Sequence, residues 1–353
     1  MKKLISKIRK EKAEDPAGRI TNDTLAQHRE RVLAGGRKFK YPVQYQRHKL
    51  VVNTIIIAVV ALVVLVATGW YMLYKGQNTS EFMYRVTRVV PVPVAVVDGQ
   101  QVKYSEYLKK YRSEQHYLVE KEQIDTKSEG GKSQLAYVKG RAMADAIADA
   151  YAAKLAKSLD VQVSDADLEV FLKQQRLSSD GEEVSDATIS TVINEYYGWS
   201  PGEYREAMRS KLLRQRVAYA VDTLAEKSVE SVTASVKSGE EDLKKITDEV
   251  NNSNKKAGLI YMAPAWVPRN NQDGGLAATA AKLSKGQISE AIKASSGDGY
   301  FFIKLVDSND SQLQYEYIRI PLSEFDKKLE QVKKDGKIKE FIKIEEILPP
   351  KSE

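Results

Sequence analysis

DGYFFIKL, from Asp298 to Leu305, is the stretch on which the fold of the second half turns. A glycine leads into two adjacent phenylalanines and an Ile-Lys-Leu tail. That is the composition of a buried strand. A second candidate strand follows, YEYIRIPLSEF at Tyr315–Phe325. Two readings of it stand: a plain hairpin partner turning at Asp307–Ser311, or a strand that completes a larger sheet. Whether DGYFFIKL carries chemistry or only packs decides between an enzyme and a binding protein.

The 353 residues suffice for two domains and have an ordinary globular balance of charged and apolar residues. There is no cysteine, which excludes disulfides, thiolate metal sites and a cysteine nucleophile. His28, His48 and His116 are the only histidines. Residues 1–49 hold 14 basic and 5 acidic side chains, whereas the rest is nearly balanced. The basicity is therefore local, and the bulk has no electrostatic footprint for nucleic acid.

LVVNTIIIAVVALVVLVATGWYMLY, Leu50–Tyr74, carries no charge between Val51 and Leu73. It is long enough to cross a bilayer as a helix, with Trp70, Tyr71 and Tyr74 as interfacial anchors. The positive-inside bias places residues 1–49 in the cytoplasm and the remainder outside the cell membrane. Within the tail, a short helix is expected to start at Asn22 or Asp23 and end at Gly35-Gly36. The rest of the tail reads as flexible, suited to anionic lipid head groups.

Residues 75–91 read as a spacer. Val94, Val96 and Val102 flank Asp98-Gly99, a tight-hairpin signal, and Ser105 is placed to cap a helix from Glu106. Ile124–Gln134 is polar and breaks the pattern. Beyond it, Met143, Ile147, Tyr151, Leu155 and Leu159 repeat at i+4 on a long alanine-rich helix. Ser164 caps the next helix, and a loop covers about Leu177–Asp186. Ser200, Pro201 and Glu203 spell a capping box, followed by a stripe of Tyr204, Met208, Leu212, Val217, Val221 and Leu224. These helices cannot bury their stripes singly, so they pack as one module.

VAVVDGQQVKYSEYLKKY, LAKSLDVQVSDADLEVFL and YYGWSPGEYREAMRSKLLRQ together resemble the helical module of the SurA/PrsA/PpiD-type extracytoplasmic chaperones over residues 92–225. In that family the module holds non-native polypeptide. Residues 226–325 resemble the parvulin-type peptidyl-prolyl isomerase domain that often accompanies it. EKSVESVTASVKSGEEDLKKITDEVN stands for its first helix and an acidic segment, Leu259 and Tyr261 for a glycine- and aromatic-bearing strand. Gly286, Ile288 and Ser289 mark a turn, and DGYFFIKL is the final strand. The resemblance implies two histidines. One would fall at Phe301. The other belongs to a strand before the first helix, where QRVAYAVDTLAEKS reads as continuing helix. If Tyr315–Phe325 substitutes for that strand, Tyr317 takes the second histidine position and the domain is rearranged.

The implied fold is α+β: one transmembrane helix, a SurA-N-like helical module and a small, degenerate parvulin-like domain, with residues 326–353 a C-terminal helix or tail. The implied function is a membrane-tethered holdase or foldase for unfolded or secreted polypeptides. The alternatives are an active prolyl isomerase and an envelope or cell-division scaffold. Tyr261, Met262, Trp266, Leu276, Leu283 and Phe301 are the candidate peptide groove. No catalytic residue, metal ligand or cofactor is read. Met262 and Trp266 are placed beside a loop. Asp145 and Asp149 read as a solvated helix face, Asn270–Gly275 as a flexible loop rather than a cation site, and His116 as an exposed helix residue. Tyr196, Tyr197, Trp199 and Tyr204 crowd a helix junction. Each of these aromatics either fills a small core or serves a sequence-tolerant binding surface.

Overall fold

The structure, a computed structural model, describes residues 21–176, 183–294 and 296–344, with residues 36–47 described by their backbone alone. The first part of the basic tail, most of the Leu177–Asp186 loop and the last nine residues of the C-terminal tail lie outside the described residues. The chain divides into two compact units, Met1–Leu73 and Tyr74–Glu353.

In the first unit, helix α1 spans Asn22–Trp70 without interruption. The glycine pair does not end it, contrary to the sequence expectation. Two helical glycines cost about 1 kcal/mol each, too little to break a helix that runs on into an unbroken apolar stretch. From Leu50 to Thr68 every side chain is exposed. One segment, His48–Lys75, is long and apolar enough to cross a membrane.

The second unit opens with helix α2, Glu81–Val89, inside the supposed spacer. Ser80 caps it, accepting the N–H of Met83 at 3.4 Å, and Met83, Tyr84 and Thr87 are buried. Strands β1 (Pro93–Val97) and β2 (Gln100–Lys103) form the expected hairpin. Asp98 and Gly99 both take positive φ, as a two-residue turn matched to strand twist requires. Helix α3, Tyr104–Glu120, starts directly after β2. Ser105 lies inside it and is not the cap, because the strand delivers the chain into the helix at Lys103.

Helix α4, Glu129–Leu159, is capped by Ser128, so the polar Ile124–Gln134 stretch is already half helical. Its buried face runs through Met143, Ile147 and Tyr151, then shifts to Ala152 and Ala156, while Leu159 is exposed. At 3.6 residues per turn, an i+4 series drifts about 40° per step, so its later members rotate out of the core. Helix α5 (Asp165–Gln175) has its capping box at Ser164 and Asp167. Helix α6 (Asp186–Tyr197) ends on left-handed Gly198. Helix α7 (Pro201–Val221) has the Ser200/Glu203 capping box and Pro201 at its start. Helices α3, α4 and α7 pack in series, with α6 against α3 and α5 against α7.

The helical path breaks at Asp222, where the sequence reads as continuous, and α8 (Thr223–Lys237) begins. Helix α9, Leu243–Ser253, occupies what resembles an acidic segment. Then come β3 (Ile260–Pro268), α10 (Leu276–Ala280), β4 (Ile292–Lys293), β5 (Gly299–Ser308) and β6 (Gln312–Pro321). They form an antiparallel sheet in the order β3–β6–β5–β4. Thus β6 is the hairpin partner of β5 and also pairs with β3, but it runs from Gln312 to Pro321 rather than over Tyr315–Phe325, because the chain turns at 309–311 and enters the next helix at Glu324. Met262 and Trp266 sit within β3, not beside a loop. Helices α8 and α9 cover one face and α10 the other. Gly299 admits no side chain: a Cβ there would meet the Ile320 carbonyl oxygen at 2.2 Å.

Helix α11 (Glu324–Lys334) leads to β7 (Ile338–Glu340), which pairs antiparallel with β1. The first sheet therefore has the order β2–β1–β7. Part of the expected C-terminal tail belongs to the sheet at the start of this unit.

Candidate polypeptide-binding surfaces

The pleat of β3 sorts the candidate groove onto two faces. Leucines 276 and 283, Phe301 and Tyr317 meet on the α10 face. Met262, opposite Tyr317 in the ladder, belongs to the same face. Tyr261 pairs with Ile318 and packs toward α8 and α9. Trp266, opposite Gln314, also lies off the α10 face. The six residues therefore do not line one groove, because successive side chains of a strand point to opposite sides.

Phe301 is 4% exposed, and its ring centroid lies 5.7 Å from that of Tyr317. Phe301, where the resemblance implies one histidine, thus neighbours Tyr317, which takes the second position only if Tyr315–Phe325 substitutes for the missing strand. Burial raises the Tyr317 hydroxyl pKa. Next to them is a polar group that sequence reading missed. Tyr315 donates its hydroxyl to Asp273 Oδ2, which also accepts from Asn271 Nδ2 at 2.9 Å. The N–H of Ala277 donates to Asp273 Oδ1 at 3.0 Å. Burial, then the Asp273 carboxylate, raises the pKa of Tyr315. The NNQDGG segment thus anchors the start of α10 and holds a tyrosine. Asp273 lies two residues before the Gly275 N-cap, outside the position where a capping carboxylate is read from sequence. Among the described residues no cluster of His, Asp and Glu is arranged for a metal ion.

On the opposite face, Tyr261 donates to Glu316 Oε2 at 2.6 Å, and burial together with that carboxylate pushes it up to about 12. Phenols this reluctant to ionise act at neutral pH as hydrogen-bond donors rather than bases. Twisting a prolyl amide means lowering a barrier of about 18–20 kcal/mol. Phe301 offers no hydrogen bond toward that end and is closed off from solvent.

A second surface lies on the helical module. Tyr197 stacks on Trp199 at 5.0 Å and leans on Tyr204 at 6.0 Å, while Tyr117 stacks on Tyr196 at 6.4 Å. Tyr117, Tyr196 and Tyr197 are exposed, and their amphipathic rings suit sequence-tolerant contact. His116 is not a free surface residue. Its Nε2 lies 3.0 Å from the Glu195 carbonyl oxygen, and its ring sits against Gly198. A cleft of about 240 Å³ between α2, α3 and α7 is lined by Tyr84, Arg88, Glu106 and Glu206, a charged rather than apolar wall.

Asp145 and Asp149 are not a solvated face. Lys110 Nζ lies 3.1 Å from Asp145 Oδ2 and 2.8 Å from Asp149 Oδ2, and Arg214 Nη1 lies 2.9 and 3.1 Å from their other oxygens. This quartet joins α3, α4 and α7. Burial opposes the charge on Asp145, but Lys110 and Arg214 outweigh it and hold its pKa below the ordinary value. Lys110 is likewise opposed by burial and raised by the two carboxylates.

Residues 44–218 match the family model described as the SurA-like N-terminal domain. No curated protein and no solved structure matches the chain.

Proposed function

We propose that the chain is a membrane-tethered, extracytoplasmic holdase or foldase that grips non-native polypeptides without catalysing prolyl isomerisation. The observation that carries the reading is the SurA-like match over residues 44–218, which includes both the apolar helix and the helical module after it. A SurA-like domain points to a chaperone-type role with polypeptide clients. Tethering would raise the local concentration of the binding surfaces near polypeptides emerging at the membrane. The parvulin-like reading of the sheet draws support from the contact between Phe301 and Tyr317. If β6 stands in for the missing strand, that contact would bring the two implied histidine positions together. With no histidine at either position, the site keeps apolar packing and loses the polar network.

The test uses the full chain in lipid nanodiscs with a chemically denatured model protein. Light scattering is expected to fall as the chain is added; unchanged aggregation overturns the proposal. In the same preparation, refolding limited by a prolyl bond is expected to keep its uncatalysed rate. An acceleration abolished by Phe301→Ala would put the isomerase reading in its place. The orientation is checked separately: protease added outside spheroplasts should digest the Tyr74–Glu353 unit and leave the basic tail intact.

A further inference from the structure

The outer edge of β3 is open. The strand stands at the end of the order β3–β6–β5–β4 and, among the described residues, pairs only with β6, through Ile260–Met262 and Ala265–Pro268. Among the described residues, no backbone group from Ile260 to Val267 bonds outside that ladder. An antiparallel edge strand turns alternate N–H and C=O groups outward, a template for another extended chain.

Folded proteins usually blunt such an edge with charged side chains or proline, or by covering it. The nine residues of β3 carry no charge. Ile260, Met262 and Trp266 are 42%, 45% and 44% exposed. Pro264 falls at the irregularity between Met262 and Ala265, so ladder remains on both sides of it.

We infer that this edge binds an extended apolar segment of a non-native polypeptide, flanked by acidic residues, as an added strand. The inference rests on the chaperone reading and names how the client is held. The flanks of β3 choose between occupants. Lys255 and Lys256 are exposed before the strand and Arg269 after it, and none of the three has a carboxylate partner among the described residues. A second copy docked antiparallel would bring the lysines of one chain toward the Arg269 of the other. Docked parallel, it would set each cation near itself. Both arrangements place like charges together, which is unfavourable. The complementary partner is an apolar strand with acidic ends. Its backbone supplies affinity and leaves the side-chain sequence free, as a binder of many unfolded chains requires.

The test uses the full chain in nanodiscs and a synthetic peptide of about ten residues, with a Val-, Thr- and Tyr-rich centre and aspartates at both ends. Hydrogen exchange read by mass spectrometry is expected to slow about tenfold across residues 260–268 on peptide addition. A copy N-methylated at consecutive residues should bind about tenfold more weakly, the loss of two or three backbone hydrogen bonds. A copy with lysine ends should bind about threefold more weakly. Suppressed aggregation of a denatured protein, with exchange in 260–268 unchanged or the N-methylated copy binding equally well, overturns strand addition and leaves the chaperone reading standing. Absence of both aggregation suppression and peptide binding overturns the two together. Protection of 260–268 without peptide, accompanied by a dimer in sedimentation, assigns the edge to a second copy and also overturns the inference.

Discussion

The helices α2–α7 and the sheet β3–β6 are held by different forces. Between helices, ion pairs are added to a core of Tyr104, Leu108, Met143 and Leu172. Arg205, Arg209 and Arg216 of α7 reach Glu169, Asp165 and Asp167 of α5, and Lys110 and Arg214 share Asp145 and Asp149. The α5–α7 pairs are largely solvent-exposed and contribute little each. They supplement the packing of Leu168, Phe171 and Leu172, which α5 buries. The sheet instead has an apolar layer on each side. Phe302, Ile318 and Ile320 pack under α8 and α9, and Phe301, Ile303 and Leu313 under α10. One region should therefore answer to pH and to loss of charge, the other to loss of volume.

The largest effect is expected from Phe302→Ala. The ring is 1% exposed, and its removal should cost about 4 kcal/mol, read as a fall in urea midpoint with local opening concentrated in β5 and β6. If opening centres on α4 instead, the contrast between the regions is wrong. Next is Asp149→Ala, which leaves Lys110, 19% exposed at its side chain, facing one half-exposed carboxylate. A loss of about 3 kcal/mol is expected, with faster exchange in α3, α4 and α7 and unchanged exchange in β5.

Asp222 sharpens the comparison because it lies on the seam. It is 1% exposed. One oxygen accepts the N–H of Ala225 at 2.9 Å, and the other accepts those of Ser323 at 2.6 Å and Glu324 at 3.0 Å. Asp222→Asn sets an amide donor against backbone donors and should cost about 2 kcal/mol, loosening α8 and α11 together in exchange measurements.

The pH response follows from two signs. Asp145 is held below its ordinary value, so its contribution is complete above about pH 4–5 and is lost as pH falls through the depressed pKa. Lys110 is raised, so its contribution is complete below its ordinary value of about 10.4 and is lost as pH climbs through the higher folded one. Thermal melts should show the helical region most stable on a plateau from about pH 5 to 9. The smallest effect is Ser200→Ala, about 1 kcal/mol for the capping box of α7, visible as a modest drop in melting temperature.

What could be read in the sequence were features whose cause is local. Ser200-Pro201-Gly202-Glu203, Ser164 and Asp98-Gly99 each fix a boundary through neighbours a few residues away, and each stands where expected. The adjacency of positions 301 and 317 was also within reach, because a strand alternates predictably once its register is known. The misses are of two kinds. Helix α2 is only nine residues long, and its signal, Ser80 before Glu81, is a single cap without a long stripe. The Asp145/Asp149 quartet and the Asp222 seam depend on partners remote in sequence, and nothing at i±4 announces them. A pair of aspartates one turn apart looks the same whether water or an arginine from another helix faces it.

Strand β7 has a consequence for how the molecule is made. Val97 pairs with Ile338, the N–H of Asp98 donates to the Lys337 carbonyl at 2.8 Å, and that of Phe341 donates to Val94 at 2.9 Å. A chain made from its amino end presents the β1–β2 hairpin early and must wait for nearly every later residue before the third strand arrives. During that interval one margin of the small sheet lies bare, and closing it demands a very long loop, a slow step by the cost of bringing distant segments together. A nascent copy is thus for a while a half-built object with one sheet margin uncovered.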